Sequence, residues 1–104
     1  MDGMTNSNAS GAVLLTHPVG LHARPSVKLT KLAKTFGSTI EISTTAEGPW
    51  IDAKSIVKVM AMKAPRDTTL HFRAVGDGAA DAVDALSELV RRNFDEDHAD
   101  APAP

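Results

Sequence analysis

Cysteine is absent from this 104-residue chain, which rules out disulfides, thiolate metal sites and cysteine catalysis. No apolar run is long enough to cross a membrane, and the polar start (residues 1–11) is unlike a signal peptide. A cytoplasmic location without membrane attachment is therefore expected. Basic residues are not in excess: the net charge is −2, so no overall positive field argues for nucleic acid. There is no internal repeat and no phosphate-cradling glycine loop, so ATP binding is not expected, and nothing calls for a cofactor. His17, His71 and His98 lack metal-ligand spacing; each reads as a solvated or satisfied histidine, and no metal site is expected. What is present, 42% hydrophobic and 23% charged residues, suits one soluble domain with a modest core.

The chain divides into a small, polar and disordered tail (1–10), a folded core (11–94) and an acidic Ala/Pro-rich tail or linker (95–104). Residues 12–17 read as a strand, and residues 17–20 turn the chain at Pro18 and Gly20. A helix then runs to about Phe36, with Leu29, Leu32, Ala33 and Phe36 on one face and Lys28, Lys31 and Lys34 on another, a solvated one. Gly37 is a candidate C-cap. Residues 38–44 alternate as a half-buried strand; residues 45–49 turn and 50–52 return, forming a hairpin. Ser55 is a natural N-cap for a short helix in which Ile56, Val59 and Met60 share a face. Val57 and Met62 lie off that face, as core or as an exposed patch. Residues 64–67 break the helix, 68–75 alternate as a strand, and 79–94 form a last helix with an apolar stripe of Ala82, Val83, Leu86, Leu89 and Val90. The order strand, helix, strand, strand, helix, strand, helix points to an α+β fold. Its economical packing is a four-stranded, mainly antiparallel sheet with helices on one face and the other face open to water.

One stretch stands out for chemistry: Gly20-Leu21-His22-Ala23-Arg24-Pro25-Ser26. Pro25 belongs in the first turn of the helix, where its missing N–H costs nothing, so His22 falls at or just outside the helix start. Unpaired N–H groups and the positive end of the helix dipole suit an anion there, phosphate above all, and Arg24 adds a charged donor. A histidine with an ordinary pKa of ~6.5 is largely neutral at pH 7, and a neutral imidazole nitrogen is a nucleophile. The stretch thus fits a histidine that accepts a phosphoryl group. Capping and solubility alone would also account for a histidine and an arginine at a helix start.

That stretch, followed roughly thirty residues later by Asp-Ala-Lys-Ser-Ile-Val-Lys-Val-Met, closely resembles the histidine-containing phosphocarrier family (HPr) of the phosphoenolpyruvate-dependent sugar phosphotransferase system. The resemblance runs from about Val13 to Phe94. It implies an open-faced sandwich, four antiparallel strands covered on one face by three helices in the order βαββαβα. It also implies a carrier rather than a turnover enzyme. His22 would take a phosphoryl group on Nδ1 from enzyme I, itself charged by phosphoenolpyruvate, and pass it to a IIA-type domain. Arg24 and the backbone N–H groups of Ala23 and Arg24 would steady the phosphate. Ser55 would be a regulatory site for an HPr serine kinase/phosphatase. Partners would dock around both helix starts, on Ile56, Val57 and Met60, with Arg24, Lys31 and Lys34 around them. The carrier itself would be a monomer.

Two departures from the family pattern carry expectations of their own. Lys63 and Asp67 stand where glycine is common, and a left-handed non-glycine residue costs ~1–2 kcal/mol, so the loop 63–67 is expected to take another path. The hairpin tip at 47–50 is about two residues longer than is common in the family. Two rival functions remain open. One is a regulatory binding module working through Ser55 and the second-helix patch. The other is the phosphocarrier domain of a larger multidomain phosphotransferase, suggested by the Ala/Pro tail.

Overall fold

A computed structural model describes residues 8–95. The expected tails at 1–7 and 96–104, with His98, lie outside the described residues. The elements are β1 (Asn8–Leu14), α1 (Ala23–Ala33), β2 (Thr39–Ser43), β3 (Ile51–Asp52), α2 (Ile56–Met62), β4 (Thr69–Val75) and α3 (Ala79–Arg91), followed by a 3-10 turn, Asn93–Asp95. The four strands form one antiparallel sheet in the order β1-β4-β2-β3. The α+β open-faced sandwich is the architecture observed.

The alternation in β2 and β4 does what its period requires. Ile40, Ile42, Leu70, Phe72 and Ala74 point to the helices and are buried, joined by Leu29 and Ala33 of α1 and by Leu86 and Val90 of α3. Each fully buried large side chain of this set contributes about 1.5–3 kcal/mol relative to exposure. The outer face is open, as expected, with Ser10, Ala12, Thr39, Thr69, Arg73 and Val75 exposed on it. Trp50, expected in the returning strand, precedes it, and its ring lies 4.2 Å from the Arg73 guanidinium carbon, while Arg73 also donates to Glu41 at 2.7 Å.

Four local expectations are corrected. First, the opening strand covers residues 8–14 rather than 12–17, so residues 8–10 are not tail. Of its inward residues Ala9, Gly11 and Val13, only Val13 is large. Gly11 pairs with Phe72 beneath α3, where a Cβ would come 3.0 Å from Val83 Cγ1, so the strand buries little apolar bulk and shows a weak pattern. Second, α1 ends at Ala33 with Lys34 as a right-handed C-cap, and Gly37 has no capping role. Third, α3 stops at Arg91, and Asn93, Phe94 and Asp95 turn with positive φ, which carries the Phe94 side chain into the core.

Fourth, the loop after α2 keeps the left-handed conformation at both positions that lack glycine: Lys63 has φ 50° and Asp67 φ 74°. Hydrogen bonds from the facing loop hold it there, Leu21 N–H to Ala64 O (2.9 Å) and Asp67 N–H to Leu15 O (2.7 Å), while Lys63 N–H closes α2 on Met60 O (3.1 Å). The strain is carried rather than relieved. Lys63→Gly is accordingly expected to stabilise the domain by about 0.5–1 kcal/mol, the left-handed penalty less the extra freedom of glycine in the unfolded chain. An unchanged or lower urea midpoint would contradict this.

Candidate functional site

His22 is the N-cap of α1, in extended backbone geometry, with its ring exposed and without a capping hydrogen bond. The first intrahelical bond runs from Ser26 N–H to His22 O (2.9 Å), so the N–H groups of Ala23 and Arg24 precede the ladder at the positive end of the helix. Arg24 is exposed in the same first turn, and Pro25 is buried beside it. Any anion placed at the imidazole therefore meets the helix N-terminus, with a guanidinium within the same turn.

The loop that presents His22 is closely fitted. Gly20 has φ +83°, and a Cβ there would lie 2.5 Å from Ala64 O. Leu21, which precedes His22, is buried, and its N–H is bonded across to Ala64. An open groove of about 330 Å3 runs beside the imidazole, walled by Val19, Leu21, Met60, Lys63, Ala64 and Pro65. Val19 (65% exposed) and Met60 (40%) are its exposed apolar walls, and Val57 (74%) lies about one turn before Met60 on α2. Of the face shared by Ile56, Val59 and Met60, only Val59 is fully buried, Ile56 is partly buried and Met60 is exposed; Met62, off that face, packs against the core.

The two helix starts are not neighbours. Lys54, just before α2, donates through Nζ to Phe36 O beyond the end of α1 (2.8 Å), whereas the end of α2 flanks His22. The helices thus run antiparallel. Ser55, whose Oγ accepts from Lys58 N–H at 3.3 Å, lies roughly 10 Å along α2 from the His22 end, at ~1.5 Å rise per residue. Lys31 and Lys34, exposed in the last turn and at the C-cap of α1, belong to the Ser55 end. Lys28 is not part of a solvated lysine face, since its Nζ donates to Phe94 O (2.8 Å).

Sequence reasoning passed over His17. It is buried, 6% exposed, and its ring packs edge-to-face against His22 with centroids 5.4 Å apart; Phe94 stands on it at 6.0 Å. Of the two readings the sequence offers for His17, solvated or satisfied, the structure shows the satisfied one, but the spacing gave no sign that its ring meets His22. The turn itself closes the gap, because Gly20 N–H bonds back to His17 O (3.0 Å). Among the described residues no cluster could hold a metal ion, and no helix is long and apolar enough to cross a membrane.

This geometry has close counterparts. The family described as "PTS HPr component phosphorylation site" matches residues 9–92. The chain is 38% identical over 85 residues to phosphocarrier protein HPr of Xylella fastidiosa (strain 9a5c), covering 82% of this chain and 93% of that protein. It is 32% identical over 85 residues to phosphocarrier protein NPr of Proteus mirabilis, with the same two coverages. Among solved structures, HPr-C-His of Thermoanaerobacter tengcongensis superposes with a TM-score of 0.78 at 27% identity, over 86% of this chain and 98% of that one. A mycoplasma histidine-containing phosphocarrier protein gives 0.71 at 34% identity, over 83% and 94%. With a histidine-capped first helix, an open-faced sandwich and a family match over most of its length, the chain belongs to the HPr family of phosphocarriers of the phosphotransferase system, which relay phosphoryl groups and are not turnover enzymes on their own.

Proposed function

We propose that His22 carries the phosphoryl group on Nδ1, taking it from enzyme I charged by phosphoenolpyruvate and giving it to a IIA-type domain in the cytoplasm. The observation that supports this most directly is the position of His22, an exposed imidazole at the N-cap of an 11-residue helix with Arg24 in the first turn. In the acceptance step the Nδ1 lone pair attacks the phosphorus of the donor's phosphohistidine. A new N–P bond forms as the donor's N–P bond breaks, and the donor imidazole leaves with that electron pair. Arg24 and the N–H groups of Ala23 and Arg24 hold the negative oxygens during transfer. An N–P bond on an exposed imidazole is labile enough to be handed on, as a carrier requires. The test is intact mass after mixing with phosphoenolpyruvate and a purified enzyme I. One acid-labile phosphoryl group is the expected result, and no transfer with a competent donor sinks the proposal.

Partner docking is assigned to the apolar strip of Val19, Ile56, Val57 and Met60, with Arg24 at one end and Lys31 and Lys34 at the other. Basic flanks around an apolar centre suit brief encounters with acidic partners. Ser55 is the proposed regulatory position, for an HPr serine kinase/phosphatase. A phosphate there suits the start of α2, so the fold survives while a dianion enters the docking strip. Ser55→Asp is expected to raise the donor concentration for half-maximal transfer by roughly tenfold and leave the saturated rate within about twofold. Ser55→Ala is expected to cost ~1 kcal/mol of stability through the lost cap with docking unchanged. Equal half-saturation for Ser55→Asp and wild type would remove Ser55 from the docking strip.

A second reading has its own support. The chain is 32% identical over 100 residues to the multiphosphoryl transfer protein of Haemophilus influenzae, matching 91% of this chain but only 20% of that protein. A phosphocarrier domain acting within a larger phosphotransferase is consistent with that match, and the chemistry at His22 would be the same.

A further inference from the structure

We propose that His17 is a positioning residue for the phosphoacceptor, holding the His22 imidazole in the orientation from which it reacts; this rests on His22 being the acceptor. The His22 ring is exposed and makes no capping hydrogen bond, so little in α1 itself fixes its χ2, a broad torsion in histidine. His17 supplies the missing constraint through an edge-to-face contact at 5.4 Å with an interplanar angle of 63°. Such aromatic pairs have preferred geometries and a modest attraction beyond buried area.

His17 can act as a stop because it is itself fixed on several sides. Its Nδ1 accepts from Val19 N–H at 3.3 Å. Its carbonyl accepts from Gly20 N–H, tying the ring to the Pro18 turn. Behind it stands Phe94, fully buried, with centroids 6.0 Å apart and rings at 67°. Phe94 is held in turn where the chain leaves α3. Lys28 Nζ caps its carbonyl (2.8 Å), Thr16 Oγ1 donates to Asn93 Oδ1 (2.9 Å), and Arg92 pairs with Asp95 (2.8 Å). A continuous packed row, Phe94 to His17 to His22, therefore runs from the core to the reacting ring. A fixed acceptor ring reaches in-line geometry with the donor phosphorus more often than a freely turning one.

The test uses the full chain and the variants His17→Ala and His17→Phe. His17→Phe keeps an aromatic ring between Phe94 and His22 while removing both nitrogens, and it guards against mere unfolding of the alanine variant. In single-turnover transfer from phosphorylated enzyme I at saturating donor, His17→Ala is expected to be slower by roughly three- to tenfold, with half-saturation within about twofold. His17→Phe is expected to recover most of the rate. The 15N resonances of the His22 ring, in protein that has never met a donor, are expected to broaden or average in His17→Ala and to stay sharp in wild type and His17→Phe. A wild-type rate and unchanged His22 resonances in His17→Ala would overturn the assignment, as would a His17→Phe variant as slow and as averaged as His17→Ala. If wild type itself accepts no phosphoryl group, the carrier reading fails, and the ring resonances still decide whether His17 orients His22.

Discussion

His22→Ala is expected to leave the protein folded and to abolish phosphoryl acceptance altogether. The imidazole is exposed and makes no capping hydrogen bond, so its removal takes little from the folded state, about 1 kcal/mol or less including its contact with His17. No neighbouring nucleophile can substitute. His17 is buried with Nδ1 facing the Val19 N–H, Ser26 is buried with its hydroxyl donated to Leu21 O, and a hydroxyl would in any case form a stable ester rather than a transferable N–P bond. The expected pair of results is a gain of one phosphoryl mass on wild type and none on the variant, with matching circular dichroism spectra. Residual acid-labile phosphate on the variant would move the acceptor elsewhere.

Gly20→Ala is expected to be the most destabilising single methyl in the site. Two costs add. Position 20 has φ +83°, which costs an L-residue about 1–2 kcal/mol. The new Cβ would also lie 2.5 Å from Ala64 O and 3.0 Å from Pro65 Cα, backbone atoms that cannot step aside as a side chain can. Overlap of that kind adds about 1–3 kcal/mol. The total, about 2–5 kcal/mol, corresponds to a fall in Tm of roughly 10 °C or more for a domain of this size. Because the relief is a parting of the two loops, Leu21 loses its bond to Ala64 and His22 moves with it, so phosphoryl acceptance falls too. Gly37→Ala is the control: nothing lies within 4 Å of its Cβ, its φ is not positive, and stability should hold within about 0.5 kcal/mol. A melting temperature for Gly20→Ala within about 2 °C of wild type would show that the loops are not interlocked.

These residues also mark what the sequence discloses. β2, β4 and the apolar stripes of α1 and α3 were legible because large side chains recur at the sheet or helix period. β1 was legible only in part, since its inward side chains are Ala9 and Gly11 where α3 presses close, and periodicity cannot be seen in residues with little to bury. The position of His22 at a helix start followed from Pro25 two residues beyond Ala23. The separation of Ser55 from His22 did not, because it depends on the antiparallel packing of two helices. Lys63 and Asp67 were misjudged because local cost was weighed without the hydrogen bonds that Leu15 and Leu21, far upstream in the chain, supply. The contact of His17 with His22 was not legible for a similar reason: it is made across the Pro18 turn, which the backbone bond at Gly20 closes.

The clasp between the two loops also sets a clock. The amide hydrogens of Leu21 and Asp67 are committed to carbonyls of the opposite loop, and the residues beside those bonds, Leu15 and Leu21, are fully or almost fully buried. Solvent protons can replace these two amide protons only when the clasp opens, and opening it floods part of the core. Such openings expose Leu15 and Leu21 to water and so cost more than the fraying of a solvated loop. On the proposed function, the imidazole at position 22 would therefore wait on an intact platform between encounters and would not have to be rebuilt for each one.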